Sequence, residues 1–174
     1  MERLKNYIRN IPDFPKPGIQ FKDVTTLFAN RWGFKMCLDH LESYYKYMEI
    51  EKIAGVESRG FVLGAALADR LDCGFVLIRK KGKLPGDVVS ISYELEYGTD
   101  SLELHTDSIK KDEKILIVDD LLATGGTLEA AAKLVEKLSG KVEGMACIIE
   151  LTGLNGREKL KGYNFHSLIS YDEA

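Results

Sequence analysis

The chain has 174 residues, of which 45% are hydrophobic and 29% charged, proportions that fit one globular domain with a sizeable core. A formal net charge of −3 argues against non-specific nucleic-acid binding, and the sequence shows neither a signal peptide nor an apolar run of membrane-spanning length. We therefore expect a cytoplasmic protein without nucleic-acid or membrane partners. Three cysteines that are far apart and include no C-x-x-C pair argue against a disulfide framework or a zinc knuckle.

Two kinds of segment alternate along the chain. Continuous aliphatic runs predict buried strands, and apolar residues at helical spacing predict helices. In chain order these are a helix at 31–48, a strand at 53–56, a helix at 61–71, a strand at 75–78, a strand at 115–118, a helix at 127–138, and strands at 142–150 and 165–170. This alternation indicates an α/β fold with a central, mainly parallel, twisted sheet flanked by helices.

Residues 80–100 interrupt the alternation. The segment contains Gly82, Pro85, Gly86 and Gly98, and hairpin character extends over 88–93 and 101–105. An excursion of this length in a compact domain is usually functional or mobile. We therefore predict a long mobile loop or hairpin at 80–105 within a single domain covering 1–174.

Polar residues follow the predicted strands where each one ends. Ser58 and Arg59 follow the strand at 53–56, the basic run at 79–83 follows the strand at 75–78, and the polar stretch 119–127 follows the strand at 115–118. Because ligands of open parallel sheets bind outside the carboxyl ends of the strands, these groups predict one site at one edge.

The stretch TGGT, residues 124–127, has the composition of a phosphate-binding loop. Gly125 and Gly126 permit backbone angles that are closed to other residues, so successive N–H groups can point inward, and the helix that follows adds positive charge at its N-terminus. The stretch matches neither a Walker A motif nor the G-x-G-x-x-G of dinucleotide-binding folds. A single phosphate fits this loop better than a polyphosphate.

Asp119 and Asp120 come just before that loop. Adjacent aspartates often do no more than cap a turn, and that interpretation competes here. Four aliphatic residues before the pair and the Gly-Gly loop after it favour a second interpretation, in which the carboxylates accept hydrogen bonds from hydroxyl groups of the phosphate-bearing ligand. A phosphorylated sugar has both features.

The motif IVDDLLATGGT at 117–127 resembles the phosphoribosyl pyrophosphate signature of type I phosphoribosyltransferases, and its Leu-Leu-Ala variant resembles the members that act on adenine. Further segments agree with that family in the same order: FPKPGIQFKD at 14–23, GVESRGF at 55–61, IRKKGKLP at 78–85, YELEYG at 93–98 and ELTGLNGREKL at 150–160. The resemblance spans nearly the whole chain. It implies the type I phosphoribosyltransferase fold with a small N-terminal hood at 1–30 and a flexible catalytic loop.

The resemblance also implies roles for individual residues. The 5′-phosphate would be held by Ala123, Thr124, Gly125, Gly126 and Thr127, and the ribose hydroxyls by Asp119 and Asp120, directly or through magnesium-bound water. The leaving pyrophosphate would meet Ser58, Arg59, Arg79 and Lys83, because cationic groups stabilise the charge that concentrates on it. Taken alone, a run such as 79–83 is more often a solvated basic turn, but its position at the carboxyl end of a predicted strand, opposite the phosphate loop, favours the anion-binding interpretation.

The base would lie between Phe21 and Leu121, with its edge read by backbone groups near Gln20 and Lys22. Lys22 stands where many relatives are expected to carry arginine, so a role for its side chain stays open. Glu96 would help to manage the proton of the base from the mobile loop. From the sequence alone, Tyr93, Leu95 and Tyr97 alternating with Glu94 and Glu96 equally describes a half-exposed strand.

The implied reaction converts adenine and phosphoribosyl pyrophosphate into AMP and pyrophosphate, in purine salvage. The base nitrogen attacks the anomeric carbon as pyrophosphate leaves, with oxocarbenium character and inversion. Mg²⁺ would be the cofactor, held mainly by substrate oxygens and water with no direct protein ligand. The resemblance also implies a homodimer. His40, His105 and His166 are isolated in the sequence and give no metal cluster.

Two alternatives stay open. One is a phosphoribosyltransferase for hypoxanthine, guanine or xanthine, which the Phe21 region and the LLATGGT form disfavour. The other is a non-enzymatic regulator that senses phosphoribosyl pyrophosphate or purines and binds DNA through an added helical module. The residues before Ile53 include the 14–23 segment, so we expect no room for such a module.

Overall fold

The computed structural model describes residues 1–94 and 98–172. The strands within these ranges are β1 (Arg9–Pro12), β2 (Gln20–Asp23), β3 (Lys52–Val56), β4 (Gly74–Lys80), β5 (Val88–Glu94), β6 (Thr99–His105), β7 (Lys114–Leu122), β8 (Lys141–Leu151) and β9 (Phe165–Tyr171). The helices are α1 (Thr25–Ala29), α2 (Arg31–Tyr45), α3 (Arg59–Arg70) and α4 (Gly126–Lys137), with short 3-10 helices at Glu2–Tyr7, Thr152–Leu154 and Gly156–Leu160.

The central sheet of the described chain has seven strands in the order β5-β6-β4-β3-β7-β8-β9. The neighbours from β4 to β9 through β3, β7 and β8 pair in parallel, whereas β6 pairs antiparallel with both β4 and β5. The predicted α/β class with a mainly parallel sheet is therefore confirmed. Because β3, β4 and β7 are parallel neighbours, their carboxyl ends lie at the same edge of the sheet. The polar residues at the ends of the predicted strands indicated this arrangement.

Helices cover both faces of this sheet. The apolar face of α4, which carries Leu128, Leu134 and Val135, packs on one side with the β5–β6 hairpin. On the other side α1, α2, α3 and the first 3-10 helix form a second buried cluster, in which the Tyr45 hydroxyl donates a 3.0 Å hydrogen bond to the carbonyl of Met145. Asn30 begins α2 by accepting hydrogen bonds from the backbone N–H groups of Trp32 and Gly33.

A small antiparallel sheet, β1–β2, lies in the segment predicted as the hood. Asp23 fixes its end, because its carboxylate accepts hydrogen bonds from Arg9 Nε at 3.1 Å and Arg9 Nη2 at 2.5 Å, and from the backbone N–H of Thr25 at 2.9 Å. Burial would raise the pKa of this carboxyl, but the Thr25 and Arg9 hydrogen bonds lower it below its ordinary value. Asp23 thus ties the end of this sheet to the start of α1.

The predicted hairpin in the long excursion is confirmed. β5 and β6 pair from Val88 opposite His105 to Glu94 opposite Thr99, and β6 joins the main sheet through Arg79 opposite Glu103.

Of the helices that the structure describes, none has the length and apolar character needed to cross a membrane.

Candidate active site

Asp119 and Asp120 lie inside β7, and the prediction that the strand ends before them is wrong. β7 continues to Leu122, because Leu121 and Leu122 still pair with Ile149 and Glu150 of β8. Both aspartates are consequently buried, and the backbone N–H of Asp120 donates a 2.8 Å hydrogen bond to Asp119 Oδ1. They are not solvated turn residues.

This burial changes the ionisation of Asp119. Desolvation and then the neighbouring Asp120 charge raise the pKa of the Asp119 carboxyl well above its ordinary value, although the hydrogen bond from the Asp120 N–H and the charge of Arg59 act in the opposite direction. A buried carboxyl pair of this kind is a common feature of functional sites. The charged form of Asp119 is therefore destabilised by its burial and by its neighbour.

The loop after β7 has the conformation that its glycines predict. Gly125 adopts a φ of 83° as the N-cap of α4, a left-handed conformation that other residues rarely tolerate. The first N–H groups of α4 have no partner within the helix and are oriented for an anion. A cavity of about 240 Å³ lies here, lined by Arg59, Asp119, Asp120, Leu121, Leu122, Ala123, Thr124, Gly125, Thr127 and Leu128.

Arg59, the first residue of α3, meets the aspartate pair across the β3–β7 boundary. Its Nε donates a 2.5 Å hydrogen bond to Asp120 Oδ2, and its side chain is 43% exposed whereas that of Asp120 is 6% exposed. The helix comes this close because Gly60 has no side chain: a Cβ there would lie 2.8 Å from the Val118 carbonyl oxygen. The peptide bond between Glu57 and Ser58 is cis.

The basic cluster is anchored by Glu57, a residue to which the sequence analysis gave no role. Its carboxylate accepts hydrogen bonds from Lys83 Nζ at 2.7 Å, from Arg79 Nε at 3.2 Å and from the backbone N–H of Lys80 at 3.0 Å. Burial alone would raise the pKa of Glu57, but these donors lower it to about 2. The signal available in the sequence was its position, directly after β3 and next to the basic run at 79–83. The prediction that this run follows its strand is wrong for Arg79 and Lys80, which are the last residues of β4.

Phe21 of the hood segment lies next to Arg59 at the same edge of the sheet. The Arg59 guanidinium carbon lies 5.9 Å from the centre of the Phe21 ring, and Phe14 contacts that ring edge-on at 5.2 Å. The side chain of Gln20 accepts a 2.6 Å hydrogen bond from Asn10, and the Lys22 ammonium donates to the Asn10 side chain at 3.0 Å.

Lys22 also lies over the Tyr171 ring, with its Nζ 4.6 Å from the ring centre. Leu121 lines the cavity together with Arg59. The structure therefore brings Phe21, Arg59, Leu121 and the aspartates together, and it gives the Lys22 side chain contacts within the hood and with β9.

The predicted catalytic residue Glu96 lies outside the described residues. Strand β5 ends at Glu94, beside the phosphate loop. The Tyr93 hydroxyl is 3.5 Å from Thr127 Oγ1, and a Cβ built on Gly126 would lie 3.3 Å from the Glu94 carbonyl oxygen. The end of β5 therefore adjoins the candidate phosphate loop.

A further wall of the site was missed by the sequence analysis, which used 150–160 only for its resemblance. The 3-10 helix Gly156–Leu160 packs against the loop, and a Cβ on Gly156 would overlap the Ala123 carbonyl oxygen. Arg157 fastens this helix to β8 through Nε at 2.5 Å and Nη2 at 2.7 Å from the two carboxylate oxygens of Glu150. We call this helix the C-terminal wall.

No three His, Cys, Asp or Glu side chains gather closely enough to hold a metal ion in residues 1–94 and 98–172. The nearest carboxylates to the cavity, Asp119 and Asp120, are oxygen donors of the kind that a hydrated Mg²⁺ accepts. The donor set therefore suits a water-separated magnesium ion better than a transition metal.

The sheet order, the paired aspartates and the glycine loop define a phosphoribosyltransferase, and the model of the phosphoribosyl transferase domain family matches residues 29–169. An adenine phosphoribosyltransferase of Cereibacter sphaeroides is 53% identical over 171 residues, which cover 97% of this chain and 96% of that protein. The crystal structure of adenine phosphoribosyltransferase from Thermoanaerobacter pseudethanolicus superimposes with a TM-score of 0.94 at 50% identity, covering 98% and 99% of the two chains.

The Saccharomyces cerevisiae adenine phosphoribosyltransferase, solved with an imino-altritol bisphosphate and adenine, gives a TM-score of 0.91 at 40% identity, covering 97% of each chain. The chain belongs to the adenine phosphoribosyltransferase family. This membership confirms the predicted fold, the predicted function in purine salvage and the predicted enzyme class, a pentosyltransferase.

Proposed function

We propose that the cavity at the β7–α4 joint holds phosphoribosyl pyrophosphate while adenine enters beside Phe21, giving AMP and pyrophosphate. The observation that carries the proposal is the placement of a buried carboxyl pair, a glycine loop at a helix N-terminus and Arg59 around one cavity. A phosphate, sugar hydroxyls and a second anionic group require those three kinds of partner.

The 5′-phosphate binds residues 123–127. The backbone N–H groups at the start of α4 and the hydroxyls of Thr124 and Thr127 donate to its oxygens, while the helix dipole adds roughly half a positive charge. The carboxylates of Asp119 and Asp120 accept hydrogen bonds from the ribose hydroxyls. This division explains why anionic side chains lie next to an anion site.

The departing pyrophosphate lies toward Ser58 and Arg59, with Arg79 and Lys83 completing its surroundings. Glu57 supports this role because it holds Arg79 and Lys83 at the edge next to Ser58. A base nitrogen forms its bond to C1′ as the bond from C1′ to the pyrophosphate oxygen breaks and the electron pair leaves with pyrophosphate. Fixed cations lower the barrier because they stabilise charge that develops on that oxygen.

Adenine stacks between Phe21 and Leu121, with backbone groups near Gln20 and Lys22 reading its edge. The position of Phe21 over the Arg59 guanidinium supports this placement. As the nitrogen bonds to C1′ it becomes acidic, and Glu96 is the proposed acceptor or hydrogen-bond partner of the released proton.

Mg²⁺ is the proposed cofactor. When bound it would neutralise the pyrophosphate charge, and it would be held mainly by substrate oxygens and water, with Asp119 and Asp120 nearby as hydrogen-bond acceptors for its water. We also propose a homodimer, and this proposal rests on the family resemblance alone. Cytoplasmic residence stays a prediction.

Base specificity tests the proposal. AMP formation is measured against nucleotide formation from hypoxanthine, guanine and xanthine, each with and without Mg²⁺. We expect adenine to be used better than hypoxanthine by several orders of magnitude, because a 6-oxo base presents an acceptor and a ring N–H where the pocket expects a donor and an acceptor. Comparable rates with both bases would overturn the adenine assignment, and ligand binding without any turnover would favour a sensing protein.

A further inference from the structure

The C-terminal wall touches the phosphate loop backbone to backbone. A Cβ on Gly125 would overlap the Gly156 carbonyl oxygen, just as a Cβ on Gly156 would overlap the carbonyl of Ala123. Two glycines facing each other allow a closer approach than any pair of larger residues. Side chains on the face of the C-terminal wall that meets the loop therefore lie directly beside that loop.

Lys159 is such a side chain. Its Cβ lies 3.2 Å from the position of a Cβ on Gly125, and its Nζ lies 3.8 Å from the position of a Cβ on Gly126, so the stem follows the loop to the first residue of α4. The residue is exposed, and within residues 1–94 and 98–172 no hydrogen bond or ion pair holds its ammonium group.

The groups that line the cavity do not balance the negative charge of a bound phosphate. A phosphate monoester carries about −1.5 to −2 at neutral pH. Within the described part of the chain, the cavity lining contains one cationic side chain, Arg59, and two carboxyl groups, those of Asp119 and Asp120. The Nε of Arg59 already donates a hydrogen bond to Asp120. Backbone N–H groups and a helix dipole supply roughly half a positive charge, which leaves most of the phosphate charge uncompensated.

We infer that Lys159 is a further phosphate-binding residue, which reaches the 5′-phosphate of the substrate and of AMP from the C-terminal wall. This inference rests on the proposed function of residues 123–127. The ion pair of Arg157 with Glu150 positions Lys159, because it fixes the wall on β8 two residues earlier in the chain. A charge-assisted hydrogen bond of ordinary strength predicts that losing Lys159 weakens AMP binding about tenfold or more.

The test compares ligands with and without the phosphate. Lys159→Met, Lys159→Arg and Lys161→Met are purified as full chains, and the affinities of AMP and adenosine are measured by calorimetry. Lys161 is the matched control, because it is an exposed lysine of the same segment that pairs with Glu158. We expect Lys159→Met to weaken AMP about tenfold or more, to leave adenosine within about twofold, and to raise the KM for phosphoribosyl pyrophosphate more than it lowers kcat.

Lys159→Arg should restore most of the AMP affinity, and Lys161→Met should bind both ligands like the parent protein. Unchanged AMP affinity in Lys159→Met overturns the inference, and so does an equal loss of AMP and adenosine, which would signal a distorted wall. Failure of the proposed function has a different signature: the parent protein itself would then form no AMP and would bind AMP no better than adenosine.

Discussion

Replacing Asp119 with Asn should stabilise the fold and impair the reaction at once. The carbonyl of the introduced amide can still accept from the Asp120 N–H, and its NH₂ group can donate to the Asp120 carboxylate, so the packing survives. Two unit charges a few ångströms apart at an effective dielectric constant of about 20 repel by several kcal/mol. Arg59 offsets part of this repulsion, and we expect the variant to gain about 1 to 2 kcal/mol in free energy of unfolding at pH 7.

The sign of the pH dependence follows from the raised pKa of Asp119. Between the ordinary value of 3.8 and the raised value, the folded protein binds more protons than the unfolded chain, so the parent protein loses stability as pH rises through that window. The amide side chain of the variant does not titrate there. The stability difference between variant and parent should therefore be small near pH 4 and should grow toward pH 7.

Urea unfolding from pH 4 to pH 7 measures the stability gain, and kcat/KM for phosphoribosyl pyrophosphate measures the activity. Losing a hydrogen bond from a ribose hydroxyl to a charged acceptor, worth about 1.5 to 3 kcal/mol, should lower kcat/KM tenfold to about a hundredfold. The matched control is Asp120→Asn, which breaks the pair with Arg59 and should lower stability. An Asp119→Asn protein less stable than the parent across the whole range would refute the reasoning.

Two more predictions concern the walls of the site. Gly156→Ala places a methyl group against the Ala123 carbonyl and 3.0 Å from Leu122 Cδ1, so we expect a loss of about 1 to 3 kcal/mol in urea unfolding and a KM for phosphoribosyl pyrophosphate raised about tenfold or more. Gly144→Ala, which meets mainly the Tyr45 ring at 3.1 Å, should leave that KM unchanged, and an unchanged KM in both variants would contradict the positioning role. Glu96→Gln should lower turnover by about 10²-fold while Glu94→Gln changes it little; equal effects would demote Glu96 to a loop residue.

Periodicity predicted most of the fold because both faces of the sheet are buried. Continuous aliphatic runs such as 53–56 and 115–118 have one stable placement, inside a parallel sheet, and their order along the chain leaves few topologies. The end of β7 was misjudged for a physical reason. Asp119 and Asp120 look like turn residues in the sequence, yet pairing with β8 and the Arg59 side chain keep them within the strand.

Contacts between distant segments were beyond the sequence analysis. Lys159 is one exposed lysine among many until the fold places it against Gly126. His40 and His166, isolated in the sequence, have stacked rings 5.5 Å apart. Local patterns report the environment of an element, whereas such pairs depend on how elements far apart in the chain are packed.

The contact between Gly156 and the loop also bears on how the protein is made. The strands β3, β4 and β7 and the loop itself emerge from the ribosome before the C-terminal wall, and a domain generally folds as one unit. The loop can form its turn early, but the surface that fixes it arrives only after α4 and β8 have been made. We therefore expect the proposed phosphate site to be complete only once the C-terminal wall has been made.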